Sequence, residues 1–258
     1  MADPLYGPKG SSVAPPGERW FDRLAHALLP APCLGCGRPL PASGGALGLC
    51  ASCRSRLAPL PREACAVCAR PLAAWALPED YRCGACRQHP PGFDRLLALW
   101  SYRPPLDAVV RGLKFGRLDY LGRHLAAALV DGLGDRLDGF DRVVPVPLHW
   151  RRRLSRGYNQ AERIARPLAG RLGLPCAPAL ARRRATPPQS LLGREDRLAN
   201  LRRAFRVPRP ERVRGLRLLL VDDVATTGAT LDAAARALKG AGAAAVTALV
   251  AGRTPLTE

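Results

Sequence analysis

The sequence predicts an α/β fold, a parallel sheet with helices on both faces, preceded by a small metal-stabilised module. Three observations predict it. Eight of the nine cysteines fall into four C-x2-C pairs between residues 33 and 86. From Phe93 onward, short apolar runs alternate with segments of helical spacing, the pattern of strands covered by crossover helices. One of those runs, Leu218 to Val221, ends in two acids and a threonine-rich turn. The chain has 258 residues, 47% of them apolar and 24% charged. That is enough to build a core, and it excludes wholesale disorder.

Residues 1–17 are rich in Pro, Gly and Ser and are expected to form a disordered tail. Glu18 to Leu29 carries Trp20, Phe21, Leu24 and Leu28 at helical spacing and reads as a short helix packed on the metal module. Asp22, Arg23 and His26 interrupt it, so it reads as neither a signal peptide nor an anchor. No apolar run approaches the roughly 20 residues that span a bilayer. The expectation is a cytoplasmic chain with no membrane insertion.

Residues 31–90 form the cysteine module. Two thiolates on one tight turn supply one edge of a tetrahedron, and a second turn supplies the other. Cys33, Cys36, Cys50, Cys53, Cys65, Cys68, Cys83 and Cys86 therefore predict two structural zinc ions, four cysteines each. Sequential pairing places the first four on one ion and the last four on the other. The similar gaps between pairs leave crossed pairing open, and iron–sulfur chemistry is the competing use of such ligands. Without a secretory signal a disulfide framework is disfavoured. The module has many prolines and little periodicity, so metal substitutes for a core, and it reads as separate from the rest of the chain. Cys176 reads as a buried apolar residue.

The remaining elements follow from periodicity. Leu96 to Tyr102 reads as a strand, and Leu106 to Phe115 and Tyr120 to Leu137 as helices. Arg142 to Pro147 is a short β-branched strand closing in prolines, and Asn159 to Leu172 a helix. Residues 182–204 are polar, Arg-rich and unperiodic, and are expected to form a mobile loop. Leu216 to Val221 is a buried strand, Thr230 to Leu238 a helix and Ala245 to Ala251 a last strand.

The run from Leu218 to Leu231, LLLVDDVATTGATL, carries the most specific chemistry. Backbone N–H groups from Thr226 to Thr230 can converge on one anion at a helix N-terminus, where the helix dipole also favours negative charge. The carboxylates of Asp222 and Asp223 suit sugar hydroxyls or Mg2+, not the phosphate itself. There is no P-loop motif, and Gly240 to Ala245 mimics a dinucleotide fingerprint between the wrong elements.

This run resembles the phosphoribosyl-pyrophosphate signature of type I phosphoribosyltransferases. The resemblance implies that Thr226, Thr227, Gly228, Ala229 and Thr230 cradle the ribose 5′-phosphate. It also implies that Asp222 and Asp223 bind the ribose 2′- and 3′-hydroxyls and that Mg2+ accompanies the ligand. Val144 to Pro147, Arg151 to Gln160, Gly112 to Phe115, Gln189 to Leu191 and Arg197 to Phe205 are similar to the hallmarks of the ComF/GntX family. In that family a double zinc ribbon precedes a phosphoribosyltransferase-like domain, here residues 93–254. The departures are Tyr158, where the family often has Phe, and Ala225, where a larger apolar residue is common. The family is associated with natural competence, the uptake and use of external DNA. A nucleobase acceptor does not follow from the resemblance, and no catalytic residue is assigned.

Lys+Arg is 40 against 21 Asp+Glu, a formal +19, and only Lys9, Lys114 and Lys239 are lysines. Residues 151–214 hold 18 arginines and four acids, a net +14. Two four-thiolate zinc sites would lower the total only to about +15. Codon bias accounts for much arginine, but not for its clustering. Lys114, Arg151, Arg152, Arg153 and Arg156 are candidates for the pyrophosphate of the ligand. The surplus predicts DNA, single-stranded by preference, as a partner through its phosphates. Other competence or DNA-processing proteins are expected to dock on the zinc module. Aromatics for base stacking are sparse there, Tyr158 and Phe205, which argues against sequence-specific reading of a single strand.

Overall fold

The computed structural model describes residues 31–41, 44–72, 77–148, 155–182 and 204–255. The expected tail and its helix at 18–29, together with Arg151, Arg152, Arg153 and most of the Arg-rich loop, lie outside the described residues.

In chain order, the cysteine module contains two short helices, α1 (Ala51–Ser55) and α2 (Gly84–Gln88). Then come β1 (Arg95–Ser101), α3 (Leu106–Phe115), α4 (Leu121–Leu133), β2 (Arg142–Pro145) and α5 (Gln160–Leu172). The two-residue strands β3 (Ala181–Arg182) and β4 (Phe205–Arg206) follow. β5 (Arg217–Val221), β6 (Val224–Ala225), α6 (Ala229–Gly240) and β7 (Ala245–Arg253) complete the described chain. The strands run in the order β1-β7-β5-β2, all parallel, with β6 continuing beside β7 past the end of β5. This is the α/β fold the alternation predicts.

The pleat sorts the strands onto two faces. Leu219, Val221, Leu249 and Ala251 pack with α3, α4 and α5 on one face. Leu218, Leu220, Val246, Ala248 and Val250 pack with α6 on the other. Residues 218–221 are completely buried, as expected of a central parallel strand. The single helix expected over 120–137 is broken at Gly134, which takes φ +49°, and finishes as a 3-10 turn over Gly134–Leu137.

The cysteine module is not a free-standing appendage, contrary to the sequence expectation. Cys33, Leu40, Leu47, Leu49 and Cys53 belong to the same core as α3 and α4. Ala69, Val67 and Cys68 join the core around α6. Between them the chain lies along the outer edge of β1. Leu60 N–H donates to Leu99 O (3.0 Å), Ser101 N–H to Ala58 O (2.9 Å) and Leu96 N–H to Val67 O (2.7 Å). The module thereby covers an edge that would otherwise present unpaired backbone groups. The physical reason is size: each ribbon is too small to bury its own leucines and needs the sheet and helices to do so.

Candidate phosphate site and zinc centres

Each ribbon begins with a knuckle and ends at the first turn of a short helix. Cys33 N–H donates to Arg38 O (2.7 Å) and Cys65 N–H to Arg70 O (2.9 Å). Cys50 and Cys83 sit at the N-caps of α1 and α2. The result is two clusters of four sulfurs, Cys33, Cys36, Cys50 and Cys53, and Cys65, Cys68, Cys83 and Cys86, each with all ligand atoms within 4.8 Å of one another. The pairing is sequential. Zn–S bonds of about 2.3 Å at tetrahedral angles place sulfurs about 3.8 Å apart. The Cys36–Cys50 and Cys68–Cys83 sulfurs are each separated by 3.8 Å. The donor sets fit zinc.

The thiolate form is favoured at the first cysteine of each cluster, whereas burial holds the Cys68 and Cys86 thiols up. Burial alone would push the Cys33 thiol up. Backbone N–H groups of Cys50, Cys36 and Gly35 outweigh that and pull it down to about 6. Cys65 is brought to about 7 in the same way. When bound, zinc would cross-link each pair of knuckles and neutralise the crowded thiolates.

The acid pair lies at the C-terminal end of β5, the edge where open α/β sheets bind ligands. Asp222 N–H donates to Leu249 O (3.0 Å) and Ala251 N–H to Asp223 O (2.9 Å). The ladder therefore continues through the acids into β6, holding both in fixed positions. Asp223 is 3% exposed. Its Oδ1 is 2.8 Å from Lys114 Nζ, which arrives from the last turn of α3. Its Oδ2 is buried with no hydrogen-bond partner among the described residues. Burial and the neighbouring Asp223 push Asp222 up to about 7.

Beyond β6 the chain turns at Gly228 (φ +82°, ψ 0°), the N-cap of α6. A Cβ there would meet nothing within 4 Å, so glycine serves the left-handed backbone and not close packing. Thr227 Oγ1 accepts from Ala229 N–H at 3.3 Å, and Thr226 and Thr227 are exposed. The orphan N–H groups of the first turn of α6 thus open beside the acid pair.

The RGYNQ segment at 156–160 is scaffolding for this rim. Tyr158 Oη donates to Leu113 O (2.5 Å), next to Lys114. Asn159 Nδ2 donates to Val146 O (3.0 Å) at the end of β2, while its Oδ1 caps α5 through Ala161 N–H (3.2 Å). Lys114, Phe115, Arg117, Ser155, Arg156 and Tyr158 line an open cleft of about 640 Å³, and Lys114 joins it to Asp223. Of the pyrophosphate candidates, Lys114 meets Asp223 and Arg156 stands over the Phe115 ring at 4.7 Å. Arg151, Arg152 and Arg153 lie outside the described residues.

Two features escaped the sequence. Phe205 is 6% exposed and lies under Arg182, so it offers no stacking face. Among the described residues the exposed aromatics are Phe115, at 69%, and Tyr120, at 36%. Arg253, 1% exposed, donates to the carbonyls of Cys68, Ala225 and Thr226. A strand read as ending at Ala251 gave no hint of it.

Residues 24–87 match the double zinc ribbon domain and residues 155–255 the phosphoribosyl transferase domain. The chain is 39% identical over 221 residues to the DNA utilization protein YhgH of Salmonella typhimurium, covering 77% of this chain and 94% of that one. It is 31% identical over 199 residues to competence protein F of Haemophilus influenzae, covering 74% and 84%. It is 29% identical over 210 residues to competence protein ComFC of Bacillus subtilis, covering 76% and 80%. With two four-cysteine clusters leading into a parallel sheet that ends in an acid pair and a glycine turn, the chain belongs to the ComF/GntX family of double-zinc-ribbon, phosphoribosyltransferase-domain proteins.

Proposed function

We propose that the chain binds phosphoribosyl pyrophosphate with Mg2+ at the acid pair and the 226–230 turn, binds DNA through its arginines, and acts in the cytoplasm in DNA uptake or utilisation. The observation that carries the ligand is Asp223 Oδ2, a buried carboxylate oxygen without a partner among the described residues. Leaving such an atom unsatisfied costs about 1–3 kcal/mol or more, and a ribose hydroxyl supplies the missing donor. The turn at Gly228 then faces the 5′-phosphate, one ribose away. Asp222 and Asp223 are hard oxygen donors of the kind magnesium takes, and the ion would neutralise pyrophosphate oxygens. The relatives named for DNA utilization and competence support the DNA role, as does the +14 charge of residues 151–214.

The test is calorimetric titration of Mg–phosphoribosyl pyrophosphate into the zinc-loaded chain. Asp223→Asn removes the charged acceptor, worth about 1.5–3 kcal/mol, or roughly 10- to 100-fold in affinity. Gly228→Val forces a β-branched residue into a left-handed turn and should lose at least as much. No binding by the folded wild type, or unchanged binding by both variants, removes the reading. For DNA, a site neutralising about five phosphates of a single strand gives a log–log salt slope near −3.5. A flat salt dependence excludes a phosphate-directed mode.

A second reading, an active phosphoribosyltransferase, is favoured by the 640 Å³ cleft beside Lys114, which leaves room for an acceptor next to the ribose. The bond from C1 of the ribose to pyrophosphate would break and one from C1 to the acceptor nucleophile would form. Positioning and arginine charge would supply the rate. Mass spectrometry that finds a ribosylated product establishes it. Binding without turnover on any candidate acceptor, DNA included, leaves the first reading alone.

A further inference from the structure

We propose that Arg253 is a positioning residue that couples the second zinc ribbon to the phosphate-binding turn. The inference rests on reading that turn as the 5′-phosphate site. Arg253 is the last residue of β7, and residues 246–253 of that strand are all buried. A buried guanidinium persists only where carbonyls or carboxylates accept from its N–H groups. Here the acceptors are three backbone carbonyls from two parts of the chain. Nε donates to Cys68 O at 3.0 Å. Nη1 donates to Ala225 O at 3.0 Å and also to Thr226 O. Cys68 is a ligand-bearing residue of the second cluster, and Ala225 and Thr226 lead into the Gly228 turn.

Peptide geometry converts these bonds into a functional constraint. In a trans peptide the C=O of one residue and the N–H of the next point in opposite directions. With the Ala225 carbonyl held by Arg253 and by Thr254 N–H (2.9 Å), and the Thr226 carbonyl by Arg253, the N–H groups of Thr226 and Thr227 are turned outward. Both of those residues are exposed, on the side where an anion arrives. The guanidinium therefore orients donors it never lends to the ligand, and it adds a fixed positive charge behind them. A rigid fork suits this task, because several donors are held in one plane. A lysine would bring the charge without the fork.

The other end of the bridge is metal-dependent. A zinc ion held by four thiolates carries about −2, a stabilising neighbour for a buried cation. Opening the second cluster frees Cys68 and removes that charge, so Arg253 and the carbonyls it holds lose their fixed position. Coupling of this kind is reciprocal: a ligand that favours the ordered turn must also favour the intact ribbon.

The test uses the full, zinc-loaded chain with Mg–phosphoribosyl pyrophosphate as the probe. Affinity is measured by calorimetry for wild type, Arg253→Lys and Arg253→Met, and zinc content by elemental analysis. Zinc release to a coloured chelator is followed with and without the probe. The expected result is a loss of affinity of roughly 5- to 150-fold in Arg253→Met, the usual span of coupling between sites. Both zinc ions should remain, and Arg253→Lys should fall in between. The probe should slow one of the two zinc-release phases in wild type and neither in Arg253→Met. A merely structural arginine would not give ligand-dependent protection of one metal. Should Arg253→Met not fold, Arg253→Lys and the wild-type release phases decide. Binding by wild type with unchanged affinity in the variants, or with no protection of either zinc, overturns the coupling alone. Absence of binding by folded wild type overturns the phosphate site and the coupling together.

Discussion

The two ribbons repeat one construction and attach it to the rest of the molecule differently: both bury apolar side chains, and the second adds directed hydrogen bonds. The knuckle hydrogen bonds of Cys33 and Cys65 match, as do the bonds from Cys50 N–H to Cys33 Sγ and from Cys83 N–H to Cys65 Sγ, both 3.3 Å. The first ribbon docks through leucines. A Cβ on Gly48 would come within 2.8 Å of Leu34, and one on Gly112 of α3 within 3.3 Å of the same side chain. Leu34 therefore sits between two glycines that leave room for its side chain. The second ribbon packs Val67 and Ala69 on the core around α6 and adds carbonyl contacts, Val67 O to the strand β1 and Cys68 O to Arg253. Apolar contact has no direction and contributes stability. A hydrogen-bonded contact fixes orientation, and can carry position to a turn where amide direction matters.

The sharpest way to break this contrast is to disable one cluster at a time. Cys86→Ser and Cys36→Ser should each lose one zinc and several kcal/mol of stability, since structural zinc contributes folding energy outright. Only Cys86→Ser should also weaken binding of Mg–phosphoribosyl pyrophosphate, by roughly 5- to 150-fold, at a temperature where both variants remain folded. Elemental analysis, circular dichroism and calorimetry on the same samples check this. Equal loss of binding in both would mean the ribbons act only through overall stability.

A smaller effect separates stability from binding within the acid pair. Asp222 has a folded-state value near 7, above the roughly 3.9 of an unfolded aspartate. A raised carboxyl favours folding only while protonated. The penalty is absent below about pH 4, grows as pH rises toward 7 and is complete above it. Asp222→Asn should therefore raise the stability of the ligand-free protein at pH 8, by on the order of 1 kcal/mol after screening. It should do little at pH 4 and should weaken ligand binding at both. Thermal melts at the two pH values measure it. Destabilisation at pH 8 would contradict the assignment.

The smallest effect compares the knuckles directly. Gly37 takes φ +75° and Ala69, its counterpart in the second ribbon, φ +53°. A Cβ at Gly37 meets nothing within 4 Å. Gly37→Ala should cost only the left-handed backbone strain, about 1–2 kcal/mol, which the second ribbon already carries. A much larger loss in a denaturant melt would mean the two knuckles are not equivalent.

Local pattern carried most of the fold. The buried runs at 218–221 and 245–251 and the helical spacing over 106–115 and 160–172 name their elements because each is long enough for period to speak. β3, β4 and β6 are two residues each, too short for any period, and they exist only because distant strands pair with them. The cysteine spacing predicts two zinc sites but not their pairing, since the gaps between pairs are nearly equal. The acid pair and glycine turn were legible as a motif. Lys114 and Asp223 are 109 positions apart and meet only when α3 folds over the sheet. Arg253 follows a glycine at a strand end, among many other arginines, and nothing local distinguishes it. Its partners are three carbonyls, which leave no trace in side-chain pattern.

The central claim is that a ribose hydroxyl satisfies the orphaned oxygen of Asp223 while the 226–230 turn holds the 5′-phosphate. A crystal structure of the zinc-loaded chain with Mg–phosphoribosyl pyrophosphate tests it directly. The account predicts a ribose hydroxyl within about 3 Å of Asp223 Oδ2 and the phosphate on the N–H groups of Thr226 to Thr230. Density for the ligand elsewhere, or a phosphate in the turn with Asp223 Oδ2 still without a ligand donor, would contradict it.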